Sequence, residues 1–198
     1  MLPPNASGSK VVPEHLATRE LDAGEPLYRC HSSRYAAIHF GRNIQNRFDD
    51  PEGRFGVCYL SLSPSGAFAE TLIRKPTGQV LQKSDLRHHC LSRVRTCRTL
   101  CLVHCHGEGL KQNGLDSQIS SSVDRHSTRL LARAFHDHGD RPDGLIYRAR
   151  HDDDQLSVAL FERASGKLAK PGAPIPWIDA GPHLDEVLDR YGIALVDA

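Results

Sequence analysis

The sequence predicts an α+β domain, and three observations carry that prediction. Short stretches at residues 26–30, 57–62, 93–106, 145–148 and 157–161 alternate apolar and polar side chains, as half-buried strands do. Three other stretches have the spacing or boundary residues of helices. Strands and helices then follow one another without the strict alternation of a parallel α/β fold. A length of 198 residues suits one substantial domain rather than two.

The elements follow in order. Residues 1–24 are rich in Pro, Ser and Gly and are expected to form a loosely structured arm, which leaves 25–198 as a single domain. The first strand is 26–30. Residues 31–56 show little periodicity and contain the turn formers Asp49-Asp50-Pro51-Glu52-Gly53. They also hold Arg42, Arg47 and Arg54, which makes them a candidate loop over a ligand site. After the strand at 57–62, Ser63 suits an N-cap and Pro64 the first helical position. The helix so opened runs from 65 to about 74, with Ala67, Glu70 and Thr71 on one face. Residues 93–106 make one or two strands. A Gly-rich connection leads to a helix at 124–138, whose stripe is Leu130, Leu131, Ala134 and Phe135. Strands at 145–148 and 157–161 flank the polar turn His151-Asp152-Asp153-Asp154, a hairpin with a solvated tip. A last helix at 184–191 stops at Gly192.

Charge and composition narrow the partners. A net charge of +1 offers no strong basic field, so direct nucleic-acid binding is not expected. Twelve histidines make the charge sensitive to mild acid. No apolar run approaches the roughly 20 residues that span a bilayer, and the start lacks a basic-then-apolar leader pattern. The expected compartment is the cytoplasm, without membrane association. Cys58, Cys101 and Cys105 sit in apolar strand-like stretches, so the six cysteines are expected to be free thiols. A homodimer is compatible with this composition.

Several motifs fail on geometry. Cys97, Cys101, His104, Cys105 and His106 lack zinc spacing, and on a strand every fourth residue lies about 13 Å further along, too far to share an ion. No metal is expected. There is no G-x-S-x-G elbow, and Gly107, Gly109 and Gly114 match no dinucleotide or P-loop fingerprint. What remains are polar residues in apolar settings: Arg29 after Leu27-Tyr28, Tyr59 within Val57-Cys58-Tyr59-Leu60, and Glu70 within Ala67-Phe68-Ala69-Glu70-Thr71-Leu72. A charge pointing into a strand's apolar surroundings needs a partner.

These stretches, with Asn46-Arg47-Phe48-Asp49, Gly53-Arg54-Phe55-Gly56, Pro142-Asp143-Gly144-Leu145-Ile146-Tyr147-Arg148 and Val158-Ala159-Leu160-Phe161-Glu162-Arg163, together resemble the RES-domain family. The similarity covers roughly residues 26 to 165, and several motifs in register are more specific than any one alone. The resemblance implies a fold like the ADP-ribosyltransferase core, with a split β-sheet and flanking helices. It also implies a toxin of a bacterial toxin–antitoxin pair that depletes NAD by hydrolysis or phosphorolysis. The expected partner is a helix-turn-helix antitoxin that blocks the cleft.

By motif, Arg29, Tyr59 and Glu70 match the family's catalytic residues, and the family serine position is occupied by Ala149. Arg47 and Arg54 are expected phosphate contacts, and Tyr147 and Ser157 further substrate contacts, with Ser157 a substitute hydroxyl if it faces the same cleft. NAD enters as substrate and no cofactor is expected. Cleaving the nicotinamide–ribose bond leaves positive charge on the sugar, which a carboxylate stabilises. A guanidinium suits the diphosphate, and an aromatic ring suits nicotinamide. A mono-ADP-ribosyltransferase and a weakened NAD-binding module, the latter because of Ala149, are the alternatives.

Overall fold

The computed structural model describes residues 12–73 and 80–197. The chain opens with strands β1 (Thr18–Leu21), β2 (Pro26–Ser32) and β3 (Val57–Ser61), followed by helix α1 (Pro64–Leu72). Next come β4 (Val80–Gln82), α2 (Lys83–His88), β5 (His89–Arg95) and β6 (Leu100–Cys105). Three helices, α3 (Glu108–Gln112), α4 (Gln118–Ser121) and α5 (Arg125–His136), lead to the hairpin of β7 (Gly144–Ala149) and β8 (Asp152–Phe161). The chain closes with β9 (Ile175–Pro176), α6 (Pro182–Tyr191) and β10 (Ala194–Val196). Among the described residues no helix is long and apolar enough to cross a membrane.

Local chemistry explains the boundaries. Ser63 is extended, and its side chain accepts a hydrogen bond from the Gly66 amide while Pro64 starts α1. Asp124 caps α5 by accepting from the His126 and Ser127 amides. Gly192 ends α6 in the left-handed region, at φ 58°, where a Cβ would be strained. The helix expected to run to about 74 ends at Leu72, since Ile73 is extended, and position 74 lies outside the described residues. The expected loose arm is shortened from within, because β1 pairs with β6 through Thr18–Val103 to Leu21–Leu100. Residues 1–11 lie outside the described part.

Eight strands form one sheet in the order β1-β6-β7-β8-β3-β2-β5-β9, and β4 and β10 form a separate parallel pair. Among the described residues only β6 and β7 run parallel within the large sheet, with α3, α4 and α5 as their crossover. Its strands are covered on both faces. Val57, Leu145, Ala159 and Phe161 pack with Leu131, Ala132 and Phe135 of α5. Cys58, Leu60, Ile146, Val158 and Leu160 pack on the opposite face with Leu27 and Val94. A third cluster joins Phe68 and Leu72 of α1 to Trp177 and to Leu184 and Val187 of α6. Gly144 has no room for a side chain, since a Cβ would stand 2.2 Å from the Ala159 carbonyl oxygen. All six cysteines are free, and burial pushes the Cys58 thiol above its usual range.

The sheet has a weak seam. β2 pairs with β5 from Pro26–Arg95 to Ser32–His89, and β3 pairs with β8 from Val57–Phe161 to Ser61–Ser157. Between β2 and β3 the register holds at Tyr28 and Ser61 alone. The sheet therefore splits into a five-stranded and a three-stranded half.

Residues 42–56 cross the molecule as a loop that an ion-pair network holds to α5. The buried Asp50 carboxylate accepts from Arg133 Nε at 2.7 Å and from the Arg54 amide at 2.8 Å. Burial by itself would raise the Asp50 pKa, but hydrogen bonds from Arg133 and from the Arg54 and Glu52 amides override it and bring it to about 2. A carboxyl depressed in the folded state stabilises the fold above its ordinary pKa, and that stability is lost as pH falls through the folded value. Acid titration of unfolding free energy is expected to show a loss of about 2 kcal/mol between about pH 4 and pH 2. Asp50→Asn should remove this segment of the curve; a variant with the wild-type acid profile would assign the loss to other carboxyls.

Candidate active site

A cleft of about 640 Å³ opens at the seam between β2 and β3. β2 contributes Tyr28 and Arg29, β3 contributes Tyr59 and Ser61, and α1 contributes Glu70 and Thr71. The remaining wall comes from Asn46 and Arg47 of the loop, Arg125 at the start of α5, and Tyr147, Arg150 and His151 at the β7–β8 turn. Four guanidinium-bearing residues thus surround the cleft, with Glu70 the carboxylate among its lining side chains. This charge pattern suits a ligand with several negative charges and one developing positive centre.

Glu70 sits late in α1 and is solvent-exposed, yet both of its oxygens are engaged. Oε2 accepts from the Tyr147 hydroxyl at 3.1 Å and Oε1 accepts from the Arg150 amide at 2.9 Å. Tyr147 is buried and packs edge-on against Phe48. Burial, with the Glu70 charge adding to it, raises the Tyr147 pKa well above 10. The phenol therefore keeps its proton and stays a donor to Glu70 at neutral pH.

Tyr59 keeps its ring at the cleft, and its hydroxyl is engaged in the loop. Its hydroxyl donates to Asp49 Oδ1 at 2.9 Å and accepts from the Phe48 amide at 2.9 Å. Asp49 in turn accepts from the Gln45 and Asn46 amides at 2.9 and 2.8 Å. The ring lines the cleft, while the hydroxyl anchors the loop that presents Asn46 and Arg47. Ile44, at the head of this grip, has φ 56°, a left-handed backbone that a β-branched residue adopts only when its neighbours hold it there.

The arginines are braced by main-chain carbonyls. Arg29 Nη1 donates to Ala37 O at 2.7 Å, with Cys58 Sγ at 3.5 Å. Arg47 Nη1 donates to Ser122 O at 2.7 Å. Burial pulls the Arg47 pKa down, and the nearby Tyr147 and Glu70 oppose that; a guanidinium stays charged regardless. Arg125 donates to Gln45 O. Such bracing lowers the entropy lost when these cations meet a ligand.

Three expected contacts lie elsewhere. Arg54 does not line the cleft: its guanidinium is held by Asp50 and by Asp137, the latter at 3.1 Å. Ala149 is buried opposite Asp152 where the β7–β8 register shifts, and it is not among the lining residues. Ser157 is buried and shares a 2.7 Å hydrogen bond with Ser61, so Ser61 reaches the cleft and Ser157 stands behind it. Arg125, Arg150 and His151 are among the lining residues that sequence reasoning left out, together with Tyr28, Asn46, Ser61 and Thr71. Arg125 carries a readable signal, since a cation in the first helical position opposes the helix dipole.

A family model described as the RES domain matches residues 26–180. The chain belongs to the RES domain family. The matched span takes in every lining residue named above and ends before α6. A relative by sequence similarity, "Probable toxin y4kH" of Sinorhizobium fredii, is 24% identical over 114 residues, covering 57% of this chain and 87% of that protein. Among solved structures, a chain of the M. tuberculosis MbcT–MbcA toxin–antitoxin complex superposes with a TM-score of 0.63 at 13% identity, over 85% of this chain and 91% of that one. The mixed α+β architecture with its split sheet is the ADP-ribosyltransferase-like RES fold that the motifs imply.

Tyr59→Phe is expected to cost about 1–3 kcal/mol in urea unfolding, because Asp49 loses a buried donor and the Phe48 amide its acceptor. An unchanged midpoint would return the hydroxyl to the role of a ligand contact.

Proposed function

We propose that this protein degrades NAD by cleaving the nicotinamide–ribose bond, and that it acts as the toxin of a toxin–antitoxin pair. One observation carries the reading: a carboxylate oriented by a phenol and a main-chain amide faces an arginine-lined cleft. In a bound dinucleotide the diphosphate answers the guanidinium groups of Arg29, Arg47 and Arg125. The ribose then lies toward Glu70. As the C–N bond breaks, its electron pair moves to the nicotinamide nitrogen and neutralises the pyridinium. Positive charge develops at the anomeric carbon, where Glu70 stabilises it. Water or phosphate adds at that carbon and completes glycohydrolysis or phosphorolysis; with water, the surplus proton leaves to solvent. The reaction needs no metal or resident cofactor, since the leaving group is already cationic.

The toxin reading draws on the relative described as a probable toxin and on the structural likeness to a toxin–antitoxin complex. An antitoxin is the corresponding partner, and the cytoplasm, which holds the NAD pool, the site of action.

Incubation with NAD, with and without phosphate, should release nicotinamide together with ADP-ribose or its phosphorylated form. Glu70→Gln is expected to slow that release at least about a hundredfold, the scale of losing one group that stabilises transition-state charge, while thermal unfolding shows a folded protein. Release at the wild-type rate would sink the assignment, and transfer of adenine label to a macromolecule would make the protein a transferase. Arg47→Ala should raise KM about tenfold with a smaller change in kcat, as loss of a ground-state phosphate contact does. Steady-state kinetics separates the two parameters.

A further inference from the structure

The polar stretch Asp152-Asp153-Asp154 is only in part the solvated hairpin tip expected from sequence: Asp153 and Asp154 are exposed, and Asp152 is not. The turn itself falls at Arg150 and His151, and β8 begins at Asp152. Asp152 is half-buried and gripped by the C-terminal helix: Oδ2 accepts from Arg190 Nε at 2.9 Å and from the Tyr191 hydroxyl at 2.8 Å. Its Oδ1 accepts from the Asp154 amide at 3.2 Å, which tightens the chain just after the turn. Burial would raise the Asp152 pKa, but the hydrogen bonds from Arg190 and Tyr191 hold it below the usual carboxylate range. The carboxylate is thus ionised and clamped at neutral pH.

The same helix holds α1. Glu186 Oε1 accepts from Ser65 Oγ at 2.7 Å, and the Tyr191 hydroxyl also lies 3.4 Å from Ser65 O. The Tyr191 ring lies parallel to Phe68 with centroids 6.4 Å apart, while Leu184 and Val187 enter the cluster around Trp177. So α6 touches α1, which carries Glu70, and the start of β8, two residues beyond the Arg150 amide that Glu70 accepts from. The Glu70–Arg150 hydrogen bond joins two elements that the helix bridges from behind.

We propose that α6 is a positioning element of the active site, in which Arg190 and Tyr191 act through Asp152 to hold the Arg150–His151 turn against Glu70. The inference rests on the NAD-cleaving reading. It adds that residues beyond the span matched by the family model govern the placement of the catalytic carboxylate's main-chain donor. Neither Arg190 nor Tyr191 lines the cleft, so their effect on the reaction runs through geometry alone.

The test uses the full chain with Arg190→Gln, Tyr191→Phe and both together. Tyr191→Phe keeps the ring on Phe68 and removes only the hydroxyl. Two measurements are made on each variant after thermal unfolding confirms the fold: amide hydrogen exchange at Arg150, and kcat and KM for nicotinamide release from NAD. The double variant is expected to exchange the Arg150 amide at least about tenfold faster and to lose at least about tenfold in kcat with KM within about twofold, because even one charge-assisted bond to Asp152 is of that strength. Wild-type exchange in the double variant would overturn the clamp. Faster exchange with wild-type kcat would overturn its role in positioning. Wild-type protein that leaves NAD intact would defeat the NAD reading instead, and exchange at Arg150 would then decide the clamp alone.

Discussion

A single backbone register pair, Tyr28 with Ser61, joins the two halves of the sheet, and the rest of the site depends on how little that seam is paired. A fully zipped β2–β3 ladder would bring the strands to the usual separation of about 4.8 Å and close the space between them. Divergence instead leaves a concave opening whose walls are strands, each secured on its far side, β2 by β5 and β3 by β8. The cleft is therefore wide without being soft. Arg29 lies at the mouth of this divergence, and its bond to Ala37 O ties β2 to the following loop on the side where strand pairing is missing.

The cleft collects positive charge at close quarters, and that arrangement is unfavourable for the empty protein. Arg29, Arg47 and Arg125 are each steadied by a main-chain carbonyl, which satisfies donors without cancelling charge. A carboxylate partner would have neutralised them, as Asp50 does for Arg133. The contrast between the two clusters is informative: one is closed on itself and holds a loop, and the other retains its field for a ligand. Two phenols divide the supporting work. Tyr59 donates to Asp49 and fixes the loop, and Tyr147 donates to Glu70 and orients the carboxylate. Burial keeps both protonated, so both remain donors across the neutral range.

The legibility of this chain in its sequence follows the range of the interactions. Strands β3, β7 and β8 were readable because their side chains are apolar on one or both faces, and α1 and α5 because Ser63 and Asp124 announce them locally. The short strands β1, β4 and β10 were not, since each consists of three or four residues whose only reason to be extended is a distant partner. Glu70, Arg29 and Tyr147 could be picked out by motif. The duty of Tyr59 could not, because Asp49 and Phe48 meet its hydroxyl only when the loop is folded. Arg54 shows the reverse error: a cation in the right loop whose partners, Asp50 and Asp137, keep it from the cleft. Counting by twos along β7 also fails at its end, where the register shift between Arg148 and Ala149 breaks the alternation.

That register shift bears on position 149, where the resemblance to the family leads one to expect a serine. A serine hydroxyl at position 149 is absent, and Ala149 is packed in the sheet opposite Asp152. The carboxylate of Glu70 nevertheless has two donors, the Tyr147 hydroxyl and the Arg150 amide. Neither is a side chain of residue 149, and an amide donor persists whatever side chain precedes it, provided that the backbone is held in place. With alanine at 149 the carboxylate is still oriented, and half of that orientation rests on backbone placement at the turn. Asp152, two residues beyond that amide, is gripped by the last helix. A carboxylate clamped two residues beyond the Arg150 amide thus holds the strand that follows the turn whose backbone supplies a donor to Glu70.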